Sequence, residues 1–292
     1  MRIFLTGATG FIGSAMIPEL HAAGHQVLGL ARNDEAAAKL QAAGVAVHRG
    51  ELTDLESLKA GAASCEATVH CAFIHDFSQY LENIAIDRRA VEAMLTTLEG
   101  SGKPFVLTSG TLMAAASGEA TEADGPSREG PGAGRAATEL LAEDYARRGV
   151  RTATIRLPQV HDSERHGLIT YAIDVAREKS VSAYPGDGAN RWAAAHVSDV
   201  ARLYRLVVEK AEPGARYHAV AESGVTMRDI AEAISRRLGV PTASIPMEDA
   251  PAHFGFLGMF AALDAPVSSR LTRERLGWNP TGPGLIEDIA KP

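Results

Sequence analysis

Short apolar runs alternate with longer amphipathic stretches along the first half of the chain. The runs at 2–6, 26–31, 45–49, 67–71, 105–108 and 151–157 are too short for helices and read as buried strands. Between them, apolar positions recur every three or four residues at 11–23, 34–43, 55–60, 80–98 and 135–148, the spacing of helix faces. Within 80–98, Leu81, Ile84, Val91, Met94, Leu95 and Leu98 fall on roughly one face. That is core spacing, and part of it also suits a contact between two copies. Strand–helix alternation requires right-handed crossovers, so the expected fold is α/β, a doubly wound parallel sheet with helices on both faces.

After Leu157 the alternation fades. Helical patterns appear at 167–178, 198–209, 226–238 and 247–263, punctuated by Gly and Pro as in Tyr184-Pro-Gly-Asp-Gly188. Residues 114–134 are rich in Gly, Ala and Ser and predict a loop of about 20 residues, a length usually functional or disordered in a compact domain.

The first strand runs directly into Gly7-x-x-Gly10-x-x-Gly13 and an Ala-rich amphipathic stretch. Such a turn lets backbone N–H groups reach a pyrophosphate, supported by the partial positive charge of the helix N-terminus. Gly7 would make the tight turn, Gly10 would admit the phosphate and Gly13 would let the helix pack on the sheet. Glycines alone also fit a turn without a ligand. A second strand at the right distance, with Gly24 closing the helix between, favours a dinucleotide-binding βαβ unit. The expectation becomes a Rossmann-type dinucleotide-binding domain over 1–160. Residues 161–292 then form mainly a smaller, partly helical substrate lobe, with some segments returning to the core.

The chain has 292 residues, 46% apolar and 22% charged, enough for a sizeable core. A net charge of −7 and the lack of basic clusters argue against a nucleic-acid partner. There is no apolar run of about 18 residues, so no membrane partner is expected. The opening strand does not read as a signal peptide. Cys65 and Cys71 form no CxxC and read as buried thiols of a cytoplasmic protein. His21 and His25 are four apart, but Gly24 breaks the helix between them, and no metal is expected.

Thr6-Gly-Ala-Thr-Gly-Phe-Ile-Gly13 resembles the opening of the extended short-chain dehydrogenase/reductase superfamily, the nucleotide-sugar epimerases, dehydratases and related reductases. Similar motifs follow in family order: Gly50-Glu-Leu-Thr-Asp54, Val69-His-Cys-Ala72, Val106-Leu-Thr-Ser-Gly-Thr111, Arg156-Leu-Pro-Gln-Val-His161, Arg191-Trp192 before His196-Val-Ser-Asp-Val-Ala201, and Arg216-Tyr-His218. The resemblance implies that Gly10, Phe11 and Ile12, with Thr9 in the same turn, lie against the cofactor phosphates. It implies that Glu51 and Leu52 flank the adenine, that Ala72, Phe73 and Ile74 line the cofactor, and that Thr108 and Pro158 to Val160 face the nicotinamide. One departure stands out: no Tyr-x-x-x-Lys acid/base pair occurs in the chain. Counting back from Gly149 and Arg156 places Arg135 at the lysine position and Pro131 at the tyrosine position.

An acid at the end of the second strand would select NAD. Arg32 takes that place, and a guanidinium pairs with a 2′-phosphate, so NADP(H) is expected over NAD(H). The alternative is a solvated Arg32 beside Asp34 and Glu35. For the chemistry, Ser109 and Thr111 are the hydroxyl candidates, with strand-end capping as the alternative. Arg135 suits the lysine's second task, bonding the ribose hydroxyls, but stays charged and cannot shuttle a proton. His75 and His161 follow the fourth and sixth strands and are either the acid or hydrogen-bonded walls. His196 reads as structural. Arg191 is a candidate for a substrate anion or a partner of Asp187, and Trp192 is a pocket wall or a core plug.

Three functions remain open. The first is an atypical NADP(H)-dependent reductase of a small carbonyl-type molecule. The second is an NADP(H)-binding sensor without turnover, its cofactor controlling the 114–134 loop. The third is a redox-neutral lyase or isomerase with bound cofactor. The helices at 80–98 and 135–148 resemble those of a homodimer interface in relatives.

Overall fold

The computed structural model describes residues 1–76, 79–114, 116, 118–129 and 132–291. Pro131, the expected tyrosine position, lies outside the described residues, as do parts of the 114–134 loop. The alternating half contains β1 (Arg2–Thr6), α1 (Phe11–Ala22), β2 (Gln26–Ala31), α2 (Asp34–Ala42), β3 (Ala46–Arg49), α3 (Leu55–Ser64), β4 (Ala67–His70), α4 (Tyr80–Leu98), β5 (Pro104–Gly110), α5 (Ala133–Arg147) and β6 (Arg151–Leu157). Every element expected there is present, with ends displaced by a few residues.

The remainder holds β7 (Gln159–His161), α6 (Ile169–Lys179), β8 (Ser182–Pro185), β9 (Arg191–His196), α7 (Val197–Lys210), β10 (Ala215–His218), β11 (Glu222–Thr226), α8 (Met227–Leu238), β12 (Thr242–Ile245), α9 (Ala250–Phe254), α10 (Gly258–Ala261), α11 (Arg270–Leu276) and α12 (Leu285–Ala290). The main sheet has seven strands in the order β10-β6-β5-β4-β1-β2-β3, all parallel. β1 pairs with β2 on one side and β4 on the other, so the chain direction switches there. A crevice opens at the carboxyl ends of the strands at such a switch, which is where ligands bind in open sheets.

The sheet is apolar on both faces, as parallel sheets are. Ile3 and Leu5 pack with Met16, Leu20 and Val200 on one face, and Phe4 packs with Leu58, Met94 and Phe105 on the other. Each such buried side chain stabilises the fold by about 1.5–3 kcal/mol. A second apolar cluster gathers Ile173 from α6, Trp192 from β9, Ile230 and Ile234 from α8, and Leu285 from α12.

Two expectations are corrected. The single helix over 247–263 is broken: α9 and α10 are separated at Gly255, whose φ of +61° lies in the left-handed region. On α4, five of the six stripe residues are buried, but Leu81 is 80% exposed.

The 114–134 loop, where described, is strapped down. Ala120 N donates to Pro266 O at 2.9 Å, and Ser268 N donates to Ala120 O at 2.8 Å. Thr272 donates its N–H and hydroxyl to Glu122 Oε1 at 2.7 and 2.6 Å. Arg156, fully buried, grips the Glu139 carboxylate with Nε and Nη2 and donates Nη1 to Asp124 O at 2.9 Å. Removing one partner of a buried ion pair costs about 3–5 kcal/mol. A buried charge network holds this segment, which is not the construction of a freely moving flap.

Candidate active site

The turn after β1 is shaped by close approach. Gly7 has φ +71°, and a Cβ there would sit 2.8 Å from Ala72 N. A Cβ on Gly13 would lie 2.0 Å from Gly7 O, so only glycine lets α1 start this close to the sheet. Gly10 N closes the turn on Gly7 O at 2.9 Å. Thr9 and Gly10 are exposed at its crest. α1 has no side-chain N-cap bond and no acid in its first turn, so its own sequence does not neutralise its positive end. This cradle fits the bridging phosphates of a dinucleotide. Phe11 and Ile12 follow half-buried, and the Arg165 guanidinium stacks 4.1 Å over the Phe11 ring.

A buried polar relay supports the turn. Thr6 Oγ1 accepts N–H bonds from Cys71 and Ala72, each at 3.2 Å, and lies 2.9 Å from His70 Nδ1. His70 Nε2 lies 3.1 Å from Asp87 Oδ1, and Thr138 donates to Asp87 Oδ2 at 3.4 Å. Donor counting assigns the proton to Nε2: Thr6 donates to Nδ1, and Nε2–H donates to the carboxylate. The relay fixes the β1 and β4 ends against α4 and α5.

At the adenosine end, Arg32 is exposed and makes no hydrogen bond or close ion pair among the described residues, although its charge reaches Glu35. Asp34 pairs with Arg49, and Glu35 with Lys39 at 2.7 Å. Glu51 is exposed and accepts the Thr53 hydroxyl at 2.7 Å, while Leu52 is half-buried against the core.

Beyond β4, Ala72, Phe73 and Ile74 are half-buried. The Arg135 guanidinium lies 3.9 Å over the Phe73 ring, and its Nη2 donates to Thr108 O at 3.3 Å. Phe73 meets the His75 ring edge-on at 5.3 Å. Burial of its inner side, then the Arg135 charge, holds the His75 imidazole below its ordinary value. Thr108 Oγ1 lies 2.6 Å from the Tyr204 hydroxyl, and burial pushes the Cys71 thiol up to about 11 against the hydrogen bonds of those two hydroxyls. Thr111, on the short turn after β5, is nearly buried, yet its hydroxyl has no hydrogen-bond partner among the described residues. The sheet edge therefore gathers Arg135, Phe73, His75 and Thr108 around one point.

Other candidates lie elsewhere. The Ser109 hydroxyl is 5% exposed and donates to the buried Glu139 carboxylate, so it is not free for a substrate. His161 is fully buried, its Nδ1 2.7 Å from Asp288 Oδ2 and its ring 5.7 Å from that of His196. Burial lowers its imidazole despite the Asp288 carboxylate. Val160 is packed in the core, and Pro158 is half-buried beside it. Arg191 meets Asp264, not Asp187, in a two-pronged pair at 3.0 and 2.8 Å. Trp192 is 2% exposed and plugs the second apolar cluster. Among the described residues, no helix is long and apolar enough to cross a membrane, and no cluster of His, Cys, Asp or Glu is arranged to hold a metal.

Residues 3–221 match the model of the NAD dependent epimerase/dehydratase family. An uncharacterized protein of Saccharomyces cerevisiae is 46% identical over 292 residues, 99% of this chain and 98% of its own. A 4-hydroxy-2-methyl-3-oxo-4-farnesyl-3,4-dihydroquinoline-1-oxide ketoreductase of Stigmatella aurantiaca is 27% identical, covering 87% of this chain and 80% of its own. The dTDP-glucose 4,6-dehydratase of Streptomyces venezuelae, solved with NAD bound, superposes with a TM-score of 0.77 over 99% of this chain and 96% of its own at 22% identity, a likeness of fold.

Proposed function

We propose that this chain, which belongs to the NAD dependent epimerase/dehydratase family, is an NADP(H)-dependent reductase of a small, uncharged carbonyl compound. The observation that carries this reading is the distribution of charge along the carboxyl edge of the sheet. Arg32 follows β2, where an acid would select NAD and repel a 2′-phosphate; among the described residues it makes no hydrogen bond or close ion pair, and the acid that feels its charge, Glu35, is already held by Lys39. Arg191, the candidate for a substrate diphosphate, already spends its fork on Asp264. The cofactor end thus offers a cation to an additional anion, whereas Arg191 is already matched by its own carboxylate. The ketoreductase relative supports the direction of the reaction.

The Gly7–Gly13 turn would hold the phosphates, Arg32 the 2′-phosphate, and the donors of Arg135 left free by Thr108 the ribose hydroxyls. When bound, the cofactor supplies the hydride. Thr111 offers the hydroxyl that meets the developing alkoxide, and a positioned donor of this kind is worth roughly 10²–10³-fold in rate. His75 keeps its contact with the Phe73 backbone, and in its protonated form it gives the proton of its other ring nitrogen to the developing alkoxide, a transfer favoured by the burial and the Arg135 charge that lower its imidazole. The test is calorimetric titration of NADPH and NADH into the protein and its Arg32→Ala variant, followed by NADPH oxidation across ketones and aldehydes. Tighter NADPH binding that Arg32→Ala abolishes, with turnover, is the expected result. Preference for NADH, or indifference to Arg32→Ala, overturns it.

A further inference from the structure

We infer that Asp34 and Arg49 form a charge switch at the 2′ position of the ribose. Arg49 exchanges Asp34 for the 2′-phosphate, and Asp34 is the built-in competitor that limits the preference for NADP(H). This inference rests on the NADP(H) reading above.

The placement follows from the sheet. Arg49 is registered opposite Ala31, the residue before Arg32, and Gly50 N donates to Ala31 O at 3.2 Å. Arg49 thus ends the strand beside the one that Arg32 follows, neighbouring strands lying about 5 Å apart. Asp34 is the first residue of α2, fixed by the Asn33 cap, whose Oδ1 accepts the Ala36 N–H at 2.8 Å. That places a carboxylate two residues beyond Arg32, where it holds the Arg49 guanidinium. Glu35 is engaged by Lys39, so Asp34 is the acid that holds the second cation.

The exchange is inexpensive. The Asp34 side chain is 97% exposed and that of Arg49 54% exposed, and ion pairs in water contribute little. A phosphate dianion is a stronger bidentate partner for a guanidinium than a solvated carboxylate. A 2′-phosphate would meet Arg32, which makes no close ion pair among the described residues and only feels Glu35 at a distance, and Arg49, which must first leave its acid. NAD(H) lacks that phosphate and would leave the Asp34–Arg49 pair intact. The switch thus acts on the ratio of the two affinities and not on dinucleotide binding as such.

The experiment titrates NADPH, NADH, 2′,5′-ADP and 5′-AMP into the wild-type protein and its Asp34→Asn and Arg49→Gln variants at low ionic strength. Asp34→Asn is expected to tighten NADPH and 2′,5′-ADP by roughly threefold or more, leaving NADH and 5′-AMP unchanged. Arg49→Gln is expected to weaken the phosphorylated pair by about five- to tenfold and to spare the other two. Equal wild-type constants for NADPH and NADH would overturn the NADP(H) reading and the switch together. A wild-type preference for NADPH that survives Arg49→Gln unchanged overturns the switch alone. Weaker NADH binding by Asp34→Asn also overturns it, because Asp34 would then be a ribose ligand.

Discussion

Acidification should destabilise this protein through His218, and the loss can be worked from its surroundings. The imidazole is fully buried at the end of β10. Its Nδ1 lies 2.8 Å from Ser268 O, so Nδ1 carries the proton, and Nε2 lies 3.4 Å from Arg156 Nη1, which donates to it. A second proton would place two cations face to face. Burial, assisted by Arg156 and opposed by Glu122 and Ser268, pushes His218 down from 6.5 to about 4. The unfolded chain therefore takes up a proton that the folded chain refuses. The His218 contribution is fully present above about 6.5 and is lost as pH falls toward 4. One proton is worth about 1.4 kcal/mol per pH unit, so about 2 kcal/mol is gone at pH 5 and about 3 kcal/mol near pH 4. Domains of ordinary stability have only about 5–15 kcal/mol to lose. Urea titrations between pH 7.5 and 5 on the wild type and His218→Asn measure it, since asparagine retains a donor toward Ser268 O. The wild type should lose about 2 kcal/mol more than the variant over that interval. Equal losses would refute the assignment of a neutral, proton-excluding His218.

Three further outcomes follow from the site. Thr111→Val should lower kcat by roughly 10²–10³-fold at unchanged NADPH affinity, whereas Ser109→Ala should cost about 1–3 kcal/mol in urea stability by depriving Glu139 of a donor, while leaving kcat intact. Carbonyl reduction should rise as pH falls, with a midpoint below 6.5 because burial and Arg135 lower His75, and His75→Gln should flatten that profile; a rate independent of pH in the wild type removes His75 as the proton donor. Gly13→Ala should abolish dinucleotide binding in calorimetry, since its methyl would lie 2.0 Å from Gly7 O; retained affinity would mean that α1 can shift without disturbing the cradle.

Local pattern determined much of the first half of this protein. The apolar runs and helical faces up to residue 157, the glycine turn and the position of Arg32 are written in neighbouring residues, and the structure places them as the sequence reading did. Two charged residues also left a legible sign. Asp87 falls three residues after Ile84 and four before Val91, inside the apolar stripe of α4, and Glu139 sits among the buried positions of α5. A carboxylate at a buried position needs partners, which here are His70, Thr138, Ser109 and Arg156.

Tertiary structure alone decided which partners those would be. Ser109 lies at the end of β5 and Thr111 two residues on, in the turn that follows, yet it is Ser109 that bonds Glu139, a residue thirty positions away. His161 followed a sheet strand as a catalytic histidine would, but β7 leaves the main sheet to pair with β9, which carries His161 into the interior beside Asp288. Arg191 found its acid in Asp264, far along the chain. Composition and spacing fix which side chains carry charge or a hydroxyl. Whether a group is spent on a structural partner or left for a ligand depends on long-range packing, which no local window contains.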